Sequence, residues 1–225
     1  MGDRMAGRSE TRVSRVNLRE QLGDMDLYLL DQILRGHVDP QASVLDAGCG
    51  SGRNLVYFLR QGHDVSASDP DPHALARTRT LATAAGRPAD ATHFRLEPLE
   101  DSTFDTARFD LIICNAVLHF ARDLTHFQAQ VDQLRRMLRP GGLCFCRTAS
   151  SIGIETLVVR SSPAVDATAN GTGWHRLPDG TDRFLVDLDL LLAETKRIGA
   201  DLVDPIKTTN VQNLRAMTTW VWRRR

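Results

Sequence analysis

Several short stretches of this sequence have the residue types and spacing to do chemistry. The first is Val44-Leu-Asp-Ala-Gly-Cys-Gly-Ser-Gly-Arg-Asn54, where Gly48, Gly50 and Gly52 alternate around Cys49. Alternating glycines let a backbone approach a ligand where side chains would collide. A helix starting after them offers free N–H groups and a positive dipole end to a carboxylate or phosphate. Asp46 changes that choice, because its charge repels a phosphate and welcomes an α-amino group. The spacing is neither the G-x-G-x-x-G of dinucleotide folds nor a P-loop, since Arg53 and Asn54 follow the last glycine. Asp69 and Pro70 form a second candidate, with Asp69 standing 17 positions after Gly52. A third is the acidic run 96–101, containing Glu97, Pro98, Leu99, Glu100 and Asp101, and a fourth is 109–119, ending in Asn115 and His119. His119 and His175 are the side chains suited to proton transfer near neutral pH, and His175 is flanked by Trp174 and Arg176. Tyr28 is a further candidate on an early helix, with core packing as its competing role.

These residues need elements to hold them. Leu18, Leu22, Met25, Leu29, Ile33 and Leu34 recur at helical spacing, which predicts one helix over 17–34. The apolar run 43–46 predicts a buried strand opening into the glycine turn, followed by a helix ending near Gly62. Strands are expected at 64–69, 91–96, 109–114 and 143–147, and helices at 72–85 and 124–138, with Pro140 to Gly142 as a turn. This alternation implies a three-layer α-β-α sandwich on a mostly parallel seven-stranded sheet. After Ser150 the rhythm breaks, and the Ser-, Gly- and Thr-rich stretch 161–181 reads as a loop or lid. A helix over 187–198 and strands at 203–209 and 217–222 then close the sheet, the last strand antiparallel. The expected organisation is a disordered lead-in over 1–16 and one domain over 17–225. Within it, 43–149 forms the cofactor half, 150–183 the substrate lid and 184–225 the closing elements.

Bulk properties restrict the function classes. With 28 basic and 28 acidic residues the formal net charge is zero, so no nucleic-acid or anionic-membrane partner is expected. No stretch approaches the roughly 20 apolar residues of a membrane span. The arginine-rich start lacks the apolar core of a signal peptide. Cys49, Cys114, Cys144 and Cys146 contain no CxxC pair, and Cys144 and Cys146 fall on one strand face, which points to burial as small hydrophobes in a reducing cytoplasm. Trp220 and Trp222 share a strand face and are expected to pack in the core or at an oligomer contact. No metal-ligand set is apparent, and the expected state is a monomer or homodimer.

The loop beginning at Asp46 resembles motif I of the class I, Rossmann-like S-adenosylmethionine-dependent methyltransferases, (D/E)-x-G-x-G-x-G. Asp69, the 109–119 stretch and Leu138-Arg-Pro-Gly-Gly142 match further family motifs in the expected order. The resemblance implies S-adenosyl-L-methionine as cofactor and S-adenosyl-L-homocysteine as product. It implies a ribose contact at Asp69, an apolar adenine surface at Pro70, and Asn115 and His119 near the methionine end. The adenine-gripping residues fall within Glu97 to Leu99, with Glu100 or Asp101 as alternative registers.

The acceptor is less constrained. The (N/D)-P-P-(Y/F) motif of amino-group methyltransferases is replaced by Cys114-Asn-Ala-Val117. That and the neutral charge favour a small-molecule acceptor, in a manner similar to tellurite-resistance and thiopurine-type methyltransferases. His119, His175 and Tyr28 are the candidates for catalysis by in-line displacement. Competing readings are a non-methylating protein on the same fold (a cyclase, regulator or partner subunit), an NAD-dependent oxidoreductase, and methylation of protein or RNA.

Overall fold

The computed structural model of the chain describes residues 17–160 and 172–225. The expected lead-in at 1–16 and the 161–171 part of the expected lid lie outside them. Two short helices, α1 (Leu18–Leu22) and α2 (Leu27–Leu34), replace the single helix expected over 17–34. The break falls between Gly23, which caps α1, and Asp26, whose side chain accepts from Tyr28 N to start α2. An Asx N-cap satisfies backbone donors that a continuous helix would have paired internally.

The expected α/β alternation follows. It runs β1 (Ser43–Ala47), α3 (Val56–Gln61), β2 (Asp64–Ser68), α4 (Pro72–Ala84), β3 (Phe94–Arg95), β4 (Phe109–Asn115), α5 (Leu124–Met137) and β5 (Leu138–Ser150). The third strand is much shorter than the expected 91–96. Asp90 accepts from the amides of Thr92 and His93, which holds that stretch in a turn. The Pro-Gly-Gly turn does not precede β5 but lies inside it. Leu138 stands opposite Phe109 and Leu143 opposite Leu111, so 139–142 bulge outward across from Asp110. Arg139 Nη1 then donates to both Asp110 oxygens, at 2.8 and 2.9 Å.

Most of the described lid is folded. β6 (Val159–Arg160), β7 (Gly173–Arg176) and β8 (Asp182–Leu185) form a three-stranded antiparallel sheet. The turn residues that suggested a loop make the β7–β8 hairpin, where Asp179 Oδ1 accepts from Thr181 N and Oγ1. Phe184 stacks on Phe127 of α5 at 5.5 Å, anchoring this sheet to the body. The chain then forms α6 (Leu188–Arg197), β9 (Ala200–Leu202), β10 (Lys207–Val211) and β11 (Arg215–Arg224). The strand expected at 203–209 is split, because 203–206 leave the sheet at Asp204, whose carboxylate accepts from Gln32 and Arg35.

The main sheet has the order β10-β11-β5-β4-β1-β2-β3, with β9 pairing the far end of β11. Strands β1 to β5 pair in parallel, and β11 is antiparallel to β5, β9 and β10. Pleating sends alternate residues to opposite cores. Leu45, Ile112, Cys144 and Cys146 enter the core shared with Trp220 and Trp222, whereas Val44, Ile113 and Phe145 enter the other. The four cysteines are buried and free, and no described helix is long and apolar enough to cross a membrane. From β1 the chain winds outward to β2 and β3, then crosses to β4 on the other side. Ligands of doubly wound sheets bind at that switch point, beyond the carboxyl ends of the strands.

Candidate active site

The loops beyond the carboxyl ends of β1 to β4 enclose a cavity of about 730 Å³. Its floor is the glycine turn. Gly48 N and Cys49 N both donate to Ser68 O, at 2.8 and 3.0 Å, which folds the turn back over β2. Gly48 has φ +77°, and a Cβ there would lie 2.3 Å from Val117 Cγ2. Gly50 differs: with φ +54° its Cβ would meet nothing within 4 Å and would project into open space. This turn is therefore closed behind Gly48 and open at Gly50. Gly48→Ala is expected to destabilise the fold by about 1–3 kcal/mol through overpacking and the left-handed backbone. Adding Val117→Ala should recover only the steric part, which paired denaturation midpoints would measure.

Asp69 lines the cavity with both oxygens accepting backbone donors, Gly50 N at 2.8 Å and Asp71 N at 2.9 Å. It ties the glycine turn to the start of α4, with Pro70 beside it on the wall. The next wall is Pro98, Leu99 and Glu100. Glu97, the expected acidic contact, is committed elsewhere and does not line the cavity. Its oxygens accept from Ser102 Oγ, Thr103 N and Thr103 Oγ1 at 2.6–3.1 Å. Glu100, the alternative register, occupies the wall, whereas Asp101 is exposed and off it. His126 Nε2 lies 2.8 Å from Glu100 Oε1, off the line of a good hydrogen bond, while its Nδ1 accepts from Arg122 N. Burial opposes ionisation of Glu100, but its own backbone N–H and the His126 contact outweigh that and hold its pKa down.

Asp46 sits beneath the glycine turn, buried, with neither carboxylate oxygen hydrogen-bonded. Burial pushes its pKa up to about 7, with Arg53 working against the shift and Asp69 reinforcing it. Its oxygens are buried, and Asp46 is not among the residues that line the cavity. What remains is a buried acid with no hydrogen-bond partner, with Arg53 as its nearby counter-charge. Burial also pushes the Cys49 thiol up to about 12, so this lining cysteine is not a nucleophile at neutral pH. Gly52 lies behind the wall, packed against Thr78 and Leu81.

At the other end the site rests on a buried carboxylate that sequence reasoning missed. Asp26 accepts from Arg147 Nη1 at 2.7 Å, Asn115 Nδ2 at 3.0 Å and Tyr28 N at 3.0 Å. Its own N–H donates to Asn54 Oδ1. Burial would raise the Asp26 pKa, but the Arg147 and Asn115 hydrogen bonds and the Arg147 charge outweigh it, so the group is held low and ionised. Asp26 thereby joins the loop after β1 to the carboxyl-terminal ends of β4 and β5. The Tyr28 ring lies 5.0 Å from the Arg147 guanidinium, and its hydroxyl bonds Thr209 Oγ1 at 2.7 Å. Tyr28 lines neither cavity and braces Arg147.

A second cavity of about 360 Å³ adjoins the first. Arg53, Asn115 and Ala116 line both, and Ala116 holds a left-handed φ of +65° at that partition. His119 opens into the second cavity, not the first. Its Nδ1 accepts from Ala149 N at 3.3 Å, which leaves the proton of the neutral ring on Nε2. Burial, then the charge of Arg183, push its pKa down to about 4. His119 is therefore a neutral donor, not a ready base. His175 lines neither cavity: it is buried in the small sheet with Nδ1 on Gly173 O.

Comparison with known proteins converges on the same half of the chain. Residues 45–146 match a family model described as a methyltransferase domain. A malonyl-(acyl-carrier protein) O-methyltransferase from Enterobacter lignolyticus is 34% identical over 116 residues, covering 52% of this chain and 42% of that protein. A ubiquinone biosynthesis O-methyltransferase from Methylocella silvestris is 33% identical over 105 residues, covering 47% and 39%. The chain thus spans about two fifths of the length of these curated relatives. Among solved structures, the 1,6-didemethyltoxoflavin-N1-methyltransferase of Burkholderia thailandensis, with bound S-adenosylhomocysteine, superposes with a TM-score of 0.59. It is 24% identical and covers 85% of this chain and 75% of its own. Residues 45–146, which hold the glycine turn, are thus similar to a methyltransferase domain, and the fold as a whole is that of S-adenosylmethionine-dependent methyltransferases.

Proposed function

We propose that the chain transfers a methyl group from S-adenosylmethionine to a small molecule. The carrying observation is the pair of cavities meeting at Arg53, Asn115 and Ala116, one floored by the glycine turn and one lined by other side chains. Such a partition suits two substrates that must meet end to end.

The residues present fit the cofactor. Gly50 faces open space that a side chain would fill, and Asp46 is a buried acid without a hydrogen-bond partner. In this reading Asp69 would hold the ribose and Pro70, Leu99 and Pro98 the adenine, with Glu100 in place of Glu97 as the acidic group nearby. Gly48, Cys49, Gly50 and Asn54 would line the amino-acid end, with Gly52 turning the backbone behind them and Asn115 at the methyl end. When bound, the cofactor supplies an activated methyl group on a cationic sulfur. Asp46 then acts through its field, lowering the potential under the cationic end without touching it.

The chain's own residues position the acceptor and do not activate it. His119 offers an N–H and little basicity, His175 is away from both cavities, and Tyr28 is occupied with Thr209. An acceptor whose nucleophile is already an anion requires no base. Alignment of the two substrates across the partition then supplies the rate.

Incubation with methyl-tritiated S-adenosylmethionine and a fractionated metabolite extract tests this function. Label is expected in the low-molecular-weight fraction. Label only in macromolecules would contradict a small-molecule acceptor. Cofactor binding with no transfer would favour a non-methylating protein.

Asp46 carries a pH signature. Its folded pKa of about 7 lies above the ordinary 3.8, so the folded chain binds the extra proton and its ionisation is disfavoured between those values. A cationic ligand favours the ionised form. S-adenosylmethionine affinity should therefore strengthen from about pH 5 to about pH 8 and become nearly flat in Asp46→Asn. Calorimetric titration across that range checks it; parallel slopes in the two proteins would remove Asp46 from the account.

A further inference from the structure

The second cavity carries a charge pattern of its own. Arg53, Arg147, Arg183 and Arg215 line it, against the lone lining carboxylate of Asp179. Two of these guanidinium groups have a partner in Asp26, with Arg147 hydrogen-bonded to it and Arg53 at 3.8 Å. Asp179 is engaged by Thr181, and its pKa is held down against burial by those hydrogen bonds and by the charges of Arg215 and Arg183. Arg183 donates to a backbone carbonyl, Asp182 O, and lies 5.0 Å over the Phe120 ring. Among the described residues no carboxylate lies within ion-pair distance of Arg183 or Arg215. Positive charge therefore exceeds negative in a small, partly enclosed chamber, where an anion is held more strongly than on an open surface. Leu177, Val211 and Met217 make the remaining wall apolar.

We infer that the acceptor is a small organic acid, held by its carboxylate on Arg183 and Arg215 with its carbon skeleton against Val211, Leu177 and Met217. The planar guanidinium fork matches a carboxylate, and stacking on Phe120 fixes the plane of Arg183 before the ligand arrives. His119 Nε2–H adds a neutral donor to the same chamber. An acid anchored here sits on the far side of Asn115 and Ala116 from the cofactor cavity, as an end-to-end arrangement requires. The assignment rests on reading this chamber as the acceptor site.

Ligand-observed NMR with the full chain, in the presence of S-adenosylhomocysteine, tests the inference with benzoate, hexanoate, their uncharged amides and inorganic phosphate. The acids are expected to bind at least about tenfold more tightly than the amides, as charge-assisted hydrogen bonds require. Arg183→Gln and Arg215→Gln should each weaken acid binding by about tenfold or more, with partial recovery in Arg183→Lys. Melting curves and S-adenosylhomocysteine affinity of the same samples should not change, because neither arginine lines the cofactor cavity. Equal binding of acids and amides, no acid binding, or acid binding indifferent to both variants would overturn the inference. Phosphate binding as tightly as the acids would overturn the organic part of it. Failure of S-adenosylhomocysteine itself to bind would instead defeat the methyltransferase reading on which the inference rests.

Discussion

Asp69→Ala is expected to weaken S-adenosylhomocysteine binding by about 100-fold or more, the loss that the proposed ribose contact through charge-assisted hydrogen bonds predicts. The structure adds a second cause. Asp69 also accepts from Gly50 N and Asp71 N, so its loss releases the glycine turn from the start of α4. Asp69→Asn separates the two, because an amide oxygen still accepts one of these donors while the negative charge is gone. Calorimetry on both variants should give an intermediate loss for asparagine, whose melting temperature should lie closer to the parent than that of alanine. Undiminished binding in Asp69→Ala would show that the ribose is held elsewhere.

The largest effect on stability is expected at Asp26. Removing one partner of a buried ion pair leaves an uncompensated charge, at a cost of about 3–5 kcal/mol. Asp26→Ala strands the Arg147 guanidinium and the Asn115 amide together, and its unfolding midpoint should fall by roughly 10 °C. The double variant Asp26→Ala/Arg147→Met should be less destabilised than the sum of the single changes, because the stranded charge is gone. Additivity in that cycle would mean that the pair is not coupled. The pH response has a definite sign: Asp26 is held below its ordinary pKa, so its contribution is present at neutral pH and fades as pH falls below about 4. Asp46, held above its ordinary value, works in the opposite direction.

What sequence could disclose follows how local each signal is. The glycine turn, Asp69 and the apolar strands at the centre of the sheet each lie within a dozen residues, where periodicity and turn chemistry act. Asp69 therefore stands in the cavity wall as expected. Glu97 and Glu100 show the limit of that resolution. Three positions separate them, and the choice was decided by Ser102 and Thr103, which capture Glu97 from outside the motif. Asp26 was invisible for a different reason. Its partner Arg147 lies 121 positions away, and an aspartate between two helical turns looks like a cap and nothing more. The second cavity is further still from any local pattern, because its guanidinium groups come from 53, 147, 183 and 215 and meet only after the sheet and the small hairpin have formed. His119 was identified by position, but its weak basicity is a product of burial and of Arg183. The small β6-β7-β8 sheet was hidden because hairpin turns and loops draw on the same residues.

The central claim is that the glycine-floored cavity takes S-adenosylmethionine and not a dinucleotide. Titrating the full chain with S-adenosylhomocysteine and, separately, with NAD in one calorimeter decides it most directly. Saturable one-to-one binding of S-adenosylhomocysteine, with no heat from NAD, is the predicted result. Binding of NAD in its place, or of neither ligand, would contradict the account.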